Sequence, residues 1–209
     1  MSQDWQTSQQ RPRKGLFVAI EGIDGAGKTT MAQLLVQKLK KLVSQDIILT
    51  SEPTKGKIGK LLREYLRMDQ AQKEVDALLF AADRVEHFHT EILPNLEQGN
   101  IVITDRYVYS SYAYQSTQGL PLDWLQEINK FVPLPDVVFL LDIPVTTAFE
   151  RLKNQNRDEN EKFEKVVFLK EVKKVYDQFT KESNVRVVDA DRSSTEILND
   201  LTRYILDMI

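Results

Sequence analysis

The sequence predicts an α/β fold of three layers, in which a five-stranded parallel sheet lies between helices on both of its faces. Five short apolar runs, rich in β-branched residues and bounded by polar ones, recur along the 209 residues. Such runs are typical of strands buried on both faces of a parallel sheet. Segments with helical periodicity separate them, and this alternation implies right-handed crossovers. The predicted strands are Leu16–Ile20, Ile47–Leu49, Ile101–Ile103, Val137–Leu141 and Val185–Val188.

Helical spacing is clearest after the first strand and at the C-terminus. We expect the last helix to begin around Ser193, with Glu196 in its first turn. The apolar residues at this spacing are Met31, Leu34, Leu35, Leu39 and Leu42 in the first helix, and Ile197, Leu201, Ile205 and Met208 in the last. Residues 15–209 contain no internal repeat or low-complexity linker, so we expect a single domain. Residues 1–14 are polar, and we expect a disordered leader there.

A nearly all-polar segment, residues 153–164, lies between two amphipathic helices and reads KNQNRDENEKFE. Two interpretations remain open. The segment is either a solvated surface loop or a short lid that closes over a bound substrate. The fold class that we predict includes the lid.

Composition and charge exclude several classes of function. The net charge of −3 gives no general attraction to nucleic acid or to an anionic membrane. The chain has no cysteine, which excludes disulfides and cysteine catalysis and fits the reducing cytoplasm. No apolar run is long enough to span a bilayer. We therefore expect a cytoplasmic protein with no nucleic-acid or membrane partner, whose phosphate contacts come from locally placed Arg and Lys.

One segment fits the phosphate-binding pattern G-x-x-x-x-G-K-[ST] and stands between the first strand and the first helix, which is the context that such a loop requires. Its glycines let backbone N–H groups converge on a phosphate, and the helix adds its positive N-terminal end. Lys28 can reach the β- and γ-phosphates, and the Thr29 hydroxyl can coordinate Mg²⁺. The predicted triphosphate site consists of Gly22, Ile23, Asp24, Gly25, Ala26, Gly27, Lys28, Thr29 and Thr30. The sequence thus predicts a three-layer P-loop fold.

The P-loop does not by itself name a reaction, because GTPases, motor ATPases and small-molecule kinases share it. A GTPase would need an Asn-Lys-x-Asp motif after a late strand, and neither late strand is followed by one. A DNA-translocating ATPase would need a larger chain or basic stripes, and this sequence has neither.

From about residue 15 to the C-terminus the chain resembles thymidylate kinases. The P-loop is similar to the family's EGxDGxGKTT form, residues 78–84 to its LLFAADR helix, and residues 105–115 to its DRYxxSxxAYQ segment. The resemblance implies transfer of the γ-phosphoryl group of ATP, bound with Mg²⁺, to dTMP. The product is dTDP, a step of dTTP biosynthesis. It also implies a homodimer, formed through the long helix that contains Phe80 and the segment before it.

The resemblance implies roles for residues that bind the nucleoside. Phe80 and Arg84 are four residues apart and share a helix face; by analogy Phe80 stacks on thymine and Arg84 binds its O4. Without the resemblance, the pattern favours Phe80 as a core residue and Arg84 as a surface residue. Asp24 would bind Mg²⁺ or the 3′-hydroxyl of the sugar. Tyr114 is the candidate that rejects a ribose hydroxyl. The residues placed around the nucleoside are Ser110, Ser111, Tyr114 and Gln115.

Arg106 and Asp105 follow a predicted strand and so lie at the carboxyl edge of the sheet, where open α/β folds bind ligands. Arg106 can clamp the acceptor phosphate, and Asp105 can orient Mg²⁺. The predicted metal ligands are Thr29, Asp24 and Asp105. The turn Ser51-Glu52-Pro53-Thr54 departs from the family's T-R-E-P, since Ser51 replaces Arg; Lys55 or Lys57 could substitute, as a point charge without a bidentate fork.

The acceptor oxygen is already anionic, so the reaction needs alignment and charge neutralisation more than a general base. In some thymidylate kinases an Arg follows the P-loop Asp, but here that position is Gly25. We therefore expect the lid to supply the cation, with Arg157 reaching the phosphates and Arg151 anchoring the lid. The predicted catalytic residues are Lys28, Arg106, Arg157, Asp105 and Arg151. Arg192, after the last strand, is predicted to lie at the adenine side.

Two alternatives stay open at this point. A nucleoside kinase would need a carboxylate base near the P-loop, and Glu52 could serve. A nucleotide-binding regulator without turnover would be consistent with the loss of Arg at Ser51. His87 and His89 point in different directions from one helix and are assigned no role.

Overall fold

The computed structural model describes residues 14–68, 70–152 and 159–209, without the side chains of residues 159–163. The predicted leader, apart from Lys14, lies outside the described residues. So does the first half of the predicted lid, including Arg157. The end of that polar segment, from Glu159 onward, is helical.

The five predicted strands are confirmed as one all-parallel sheet in the order β2-β3-β1-β4-β5. Each strand begins at the predicted residue and continues one or two residues further, into polar side chains at the carboxyl edge. Their bounds are β1 Leu16–Glu21, β2 Ile47–Ser51, β3 Ile101–Asp105, β4 Val137–Asp142 and β5 Val185–Asp189. The three central strands are buried along nearly their whole length, as predicted. The edge strands β2 and β5 are not: their buried and exposed residues largely alternate.

The helices fall into two groups around the sheet. Their bounds are α1 Lys28–Leu39, α2 Lys57–Tyr65, α3 Lys73–His87, α4 Leu93–Glu97, α5 Val108–Thr117, α6 Leu122–Asn129, α7 Val145–Leu152, α8 Glu159–Gln178 and α9 Ser194–Leu206. A π-helical stretch, Phe88–Ile92, joins α3 to α4. Helix α1 packs against α9, whereas α5 packs against both α3 and α8. Ser193 caps α9 in a capping box with Glu196, as the sequence predicts.

The register brings the site residues to one edge. Asp105, the last residue of β3, lies opposite Ser51 of β2 and Ile20 of β1. Glu21 of β1 lies opposite Leu140 of β4. The loop after β1 therefore emerges beside the end of β3, at the position that open parallel sheets use for ligands. Among the described helices none has both the length and the apolar character to cross a membrane.

Candidate active site

The loop that follows β1 packs between the end of β4 and helix α7. Gly25 has a φ of +87°, and a Cβ on it would lie 2.2 Å from the carbonyl oxygen of Ala148. A side chain at this position would therefore require both a left-handed backbone and a displacement of α7. The structure thus gives a physical reason for glycine at position 25, where some members of the resembled family carry Arg.

Lys28 begins α1 and folds back over the loop. Its Nζ donates hydrogen bonds of 2.9 Å each to the carbonyl oxygens of Gly22 and Ile23. The side chain is buried, and burial, together with the nearby positive charge of Arg106, lowers the pKa of Lys28 to about 7. The amine is therefore held against the loop, where a bound phosphate would add negative charge to that of Asp24, Asp105 and Glu21.

Thr29 and Asp105 come together although 76 residues separate them. The Thr29 hydroxyl donates to Oδ2 of Asp105, while Oδ1 of Asp105 is buried without a hydrogen-bond partner in the described part of the chain. A hydroxyl and a carboxylate are the oxygen donors that Mg²⁺ prefers. These two residues therefore fit the predicted metal site.

Arg106 has a left-handed backbone, with a φ of +71°. Two hydrogen bonds hold it there: its N–H donates to the Ile20 carbonyl at 3.0 Å, and its own carbonyl accepts from the Thr104 hydroxyl at 2.8 Å. As a result the guanidinium lies between the P-loop and α5. It donates to Oδ1 of Asp24 and to the Ser110 hydroxyl at 3.2 Å.

The charges of this pair reinforce each other. Burial works against the charge of Asp24, but Arg106 and Lys28 outweigh it and hold the pKa of Asp24 below its ordinary value. Likewise, burial opposes the charge of Arg106, while Tyr114 and Asp24 raise the pKa of Arg106 well above its ordinary value. Asp24 was predicted as a metal ligand, and its hydrogen-bonded cation here is Arg106.

Helix α5 carries the predicted nucleoside-binding residues, and of these Tyr114 bonds directly to the P-loop. The Tyr114 hydroxyl accepts a 2.9 Å hydrogen bond from the backbone N–H of Asp24, and the Arg106 guanidinium lies 5.1 Å from the centre of the Tyr114 ring. One turn from Ser111, Gln115 is buried, and its Oε1 lacks a partner among the residues described. An unpaired buried acceptor is costly, so Gln115 is suited to accept from a ligand.

Arg84 is buried with only 1% of its surface exposed, and Phe80 is half-buried. The expectation from pattern alone, Phe80 in the core and Arg84 on the surface, is therefore wrong. Acceptors from four residues surround the guanidinium: Glu52 at 2.8 Å, Ser111 at 3.0 Å, the carbonyl of Tyr107 at 3.3 Å, and Asn129. An arginine has five N–H donors, so within the described structure one remains for a ligand.

The turn after β2 is held by α3. Glu52 bridges Arg84 and His87, whose Nδ1 lies 3.0 Å from Oε1 of Glu52, and Asp83 accepts from the backbone N–H and the hydroxyl of Thr54 at 2.7 and 2.6 Å. His87, to which the sequence assigns no role, is thus part of the turn's support. No spacing pattern in the sequence predicts the contact of His87 with Glu52.

Beside this turn lies a cavity of about 520 Å³ whose wall includes Thr29, Asp105, Ser51 and Lys55. The exposed Ser51 leaves that wall without the Arg of the resembled family. Lys55 lies on the same wall and is the better placed of the two predicted substitutes.

Glu21 is the functional candidate that sequence reasoning missed, although it stands in the quoted motif. It is fully buried, and burial raises its pKa, against the hydrogen bonds of Ser110 and the charge of Arg106. The only signal in the sequence was a charged residue at the end of an otherwise apolar strand.

At the opposite side of the P-loop, Arg151 on α7 donates to the Ala190 carbonyl at 3.4 Å. Its Nη1 lies 3.9 Å from where a Cβ on Gly27 would be. Arg192 donates to the Asp189 carbonyl at 3.2 Å and to Asp200 at 2.9 Å. Arg151 therefore lies between the P-loop and the loop after β5, while Arg192 is turned toward α9.

The chain is similar to known proteins over most of its length. The family model described as thymidylate kinase matches residues 20–201. A probable thymidylate kinase of Pyrobaculum calidifontis is 44% identical over 191 residues, which cover 91% of this chain and 95% of that protein. A probable thymidylate kinase of Thermococcus onnurineus is 43% identical over 203 residues, covering 91% and 97%. That of Pyrococcus abyssi is 42% identical over 202 residues, covering 92% and 96%.

Proposed function

Because the chain belongs to the thymidylate kinase family and is a kinase that phosphorylates dTMP to dTDP, we propose that ATP bound with Mg²⁺ supplies the phosphoryl group at the P-loop. The observation that carries the proposal is the position of Arg106. Its guanidinium joins Asp24 of the P-loop to Ser110 of α5, and so lies between the donor loop and the helix predicted to bind the acceptor.

On the donor side, the backbone of residues 22–30 and Lys28 hold the triphosphate. Thr29 and Asp105 would hold Mg²⁺, which when bound would neutralise charge on the phosphate oxygens. Since Mg²⁺ keeps most of its waters and uses few protein ligands, a site of one hydroxyl and one carboxylate is sufficient. Arg151 contacts the donor from α7, and the loop of Arg192 borders the adenine.

On the acceptor side, Arg106 clamps the phosphate of dTMP, exchanging part of its contact with Asp24 for the ligand. Tyr114 lies under the sugar, where a 2′-hydroxyl would collide with its ring. Phe80 stacks on thymine, and the remaining donor of Arg84 reads its O4. Ser111 and Gln115 complete the polar contacts.

The reaction itself requires alignment and charge neutralisation. The attacking phosphate oxygen is already anionic, so no side chain must remove a proton. Lys28 and Arg106 neutralise the charge that develops on the transferring group, and Arg157 adds a further cation from the predicted lid.

The test is a coupled assay for ADP release with dTMP and, separately, with thymidine. We expect ADP release with dTMP and none with thymidine. Release with thymidine would indicate a nucleoside kinase, which the structure disfavours because Glu52, its candidate base, is buried and ion-paired with Arg84. ATP binding without turnover on either substrate would contradict the proposal.

We also propose that the enzyme is a homodimer that acts in the cytoplasm. Support for the dimer comes from large apolar side chains exposed on or just beyond α2, α3 and α6, namely Leu61, Leu66, Met68, Leu78 and Phe131. Leu78 and Phe131 line one open apolar groove together with Val85 and Ile128, and apolar surface of this kind is typical of protein interfaces. The cytoplasm is supported by a sequence without cysteine.

A further inference from the structure

The buried carboxylate of Glu21 connects three elements around the active site. Its Oε1 accepts from the backbone N–H groups of Tyr107 and Ser110 at 2.8 and 3.2 Å. Its Oε2 accepts from the hydroxyls of Ser110 and Tyr176 at 2.6 and 3.0 Å. Two donors on each oxygen satisfy a carboxylate that has no exposed surface, which is the condition for burying such a group.

Two of these donors are N–H groups at the start of a helix. Tyr107 is the N-cap residue of α5, and α5 has no side-chain cap of its own. The first N–H groups of a helix have no carbonyl four residues before them to donate to, and they carry its positive end; the N–H of Ser110 is shared between Glu21 and the Tyr107 carbonyl, at 3.2 Å from each. Glu21, from the neighbouring strand β1, therefore caps the helix that carries Ser110, Ser111, Tyr114 and Gln115.

The third element is α8, which follows the predicted lid. Tyr176 on this helix places its hydroxyl 3.0 Å from Glu21 and 3.1 Å from the Ser110 hydroxyl. Burial and the adjacent Glu21 raise the pKa of Tyr176 well above its ordinary value, so the hydroxyl keeps the proton that it donates. Ser110 in turn accepts from Arg106 at 3.2 Å. Three hydrogen bonds thus lead from α8 to the guanidinium: Tyr176 to Glu21, Ser110 to Glu21, and Arg106 to Ser110.

We infer that Glu21 and Tyr176 are positioning residues, which hold Arg106 in place for the acceptor phosphate and link it to the helix behind the lid. Neither side chain needs to touch substrate for this role. The inference rests on the role of Arg106 in the proposed function.

The test compares two tyrosine variants of the full-length enzyme. Tyr176→Phe removes one hydroxyl from the network. Tyr109→Phe is the matched control, because its hydroxyl also donates to a carboxylate, that of the half-buried Glu182, with the Asn184 amide oxygen 3.3 Å away, and neither of these contacts Arg106. We expect Tyr176→Phe to lower kcat/KM for dTMP by about ten- to a hundred-fold, the scale of a small misplacement of a catalytic group. The KM for ATP should not change. Tyr109→Phe should change the melting temperature but leave the kinetics with dTMP and ATP unchanged.

A double-mutant cycle with Arg106→Lys separates the inference from the proposed function. If Tyr176 acts through Arg106, Tyr176→Phe should lower kcat/KM for dTMP much less in the Arg106→Lys background than in the wild type. An equal loss in both backgrounds, equal kinetics of the two tyrosine variants, or a changed KM for ATP would overturn the inference. Wild-type dTMP kinetics of Arg106→Lys itself would instead refute the role of Arg106 and the inference with it. Glu21→Gln, where it folds, should repeat the Tyr176→Phe kinetics; its failure to fold leaves Tyr176→Phe as the deciding variant.

Discussion

At the scale of single residues, the site depends on one unfavourable backbone conformation. A non-glycine residue with positive φ costs about 1–3 kcal/mol and persists only where its surroundings impose it. Here the Ile20 carbonyl and the Thr104 hydroxyl impose it on Arg106. In return, the guanidinium leaves the sheet edge in the direction of Asp24 and Ser110. The sequence motif contains Arg106 but carries no indication of this conformation.

Lys28→Ala tests the P-loop at the same scale. We expect turnover to be abolished, since the γ-phosphate loses its lysine. The fold should be retained and the melting temperature should not fall steeply, because the variant removes a cation whose pKa burial has lowered to about 7. Kinase activity and thermal unfolding followed by circular dichroism provide the two measurements. Retained activity would contradict the assignment of the P-loop.

At the scale of the elements, α3 combines buried polar side chains with an exposed apolar face. Asp83 and Arg84 turn inward to the turn after β2, whereas Leu78 is 50% exposed. Helical periodicity assumes that apolar residues face the core and charged ones face solvent, which holds here for Ala77 and Ala81 but not for Leu78, Asp83 or Arg84. The functional residues on α3 were found by resemblance to a motif, because periodicity would have placed Arg84 in solvent.

Asp76, in the first turns of α3, gives a prediction about pH. It is 6% exposed, its Oδ1 lacks a partner among the described residues, and burial raises its pKa. A carboxyl whose pKa is higher in the folded than in the unfolded state stabilises the fold at low pH and loses that contribution as the pH rises through the folded pKa. Asp76→Asn should therefore raise the melting temperature at pH 7, and the gain should shrink as the pH falls toward about 4.

The exposed Glu74, in the same turn, offers a matched control for that experiment. Glu74→Gln should show no gain at neutral pH. A gain of Asp76→Asn that is constant from pH 4 to pH 8 would mean that the carboxylate is not destabilised by burial.

The predicted lid gives a kinetic prediction. A cation engaged only in the closed complex matters more to the transition state than to the ground state. Arg157→Ala should therefore lower kcat by a factor on the order of 10²–10³, with little change in dTMP affinity. Arg151, which lies against Gly27 and Ala190, should when changed to Ala also raise the KM for ATP. Steady-state kinetics of both variants provide the measurement. If Arg157→Ala keeps a near-normal kcat and Arg151→Ala does not, the two arginines have exchanged roles.

At the scale of the whole molecule, the sheet was predictable because its strands are short apolar runs, and all five begin where the pattern begins. The strand ends were not, since each continues into polar residues such as Asp105 and Glu21 that serve the site and break the apolar pattern. The P-loop and the edge to which it belongs followed from the motif and from its place directly after the first predicted strand. The support of the site did not, because Glu52, Asn129 and Tyr176 reach it through contacts between residues far apart in the chain.

The proposed dimer provides the prediction at this scale. Leu78→Glu should give a monomer in sedimentation velocity, because it places a charge in the apolar face of α3. Leu42→Glu is the control, since Leu42 is 52% exposed but lies beyond the end of α1. A monomeric wild type, or a Leu78→Glu variant that stays dimeric, would contradict the proposed interface.

The close contact of Gly25 with α7 has a consequence for how such enzymes can change. Any side chain at this position meets the Ala148 carbonyl, at 2.2 Å from the first carbon atom, so an arginine cannot be introduced by one substitution. A lineage or an engineer seeking to place a catalytic cation in this loop, and not in the lid where we propose it, would first have to shift a helix. The two arrangements are therefore separated by a step that a single codon change does not cross, and exchanging loops between such enzymes should fail unless the facing helix is exchanged as well.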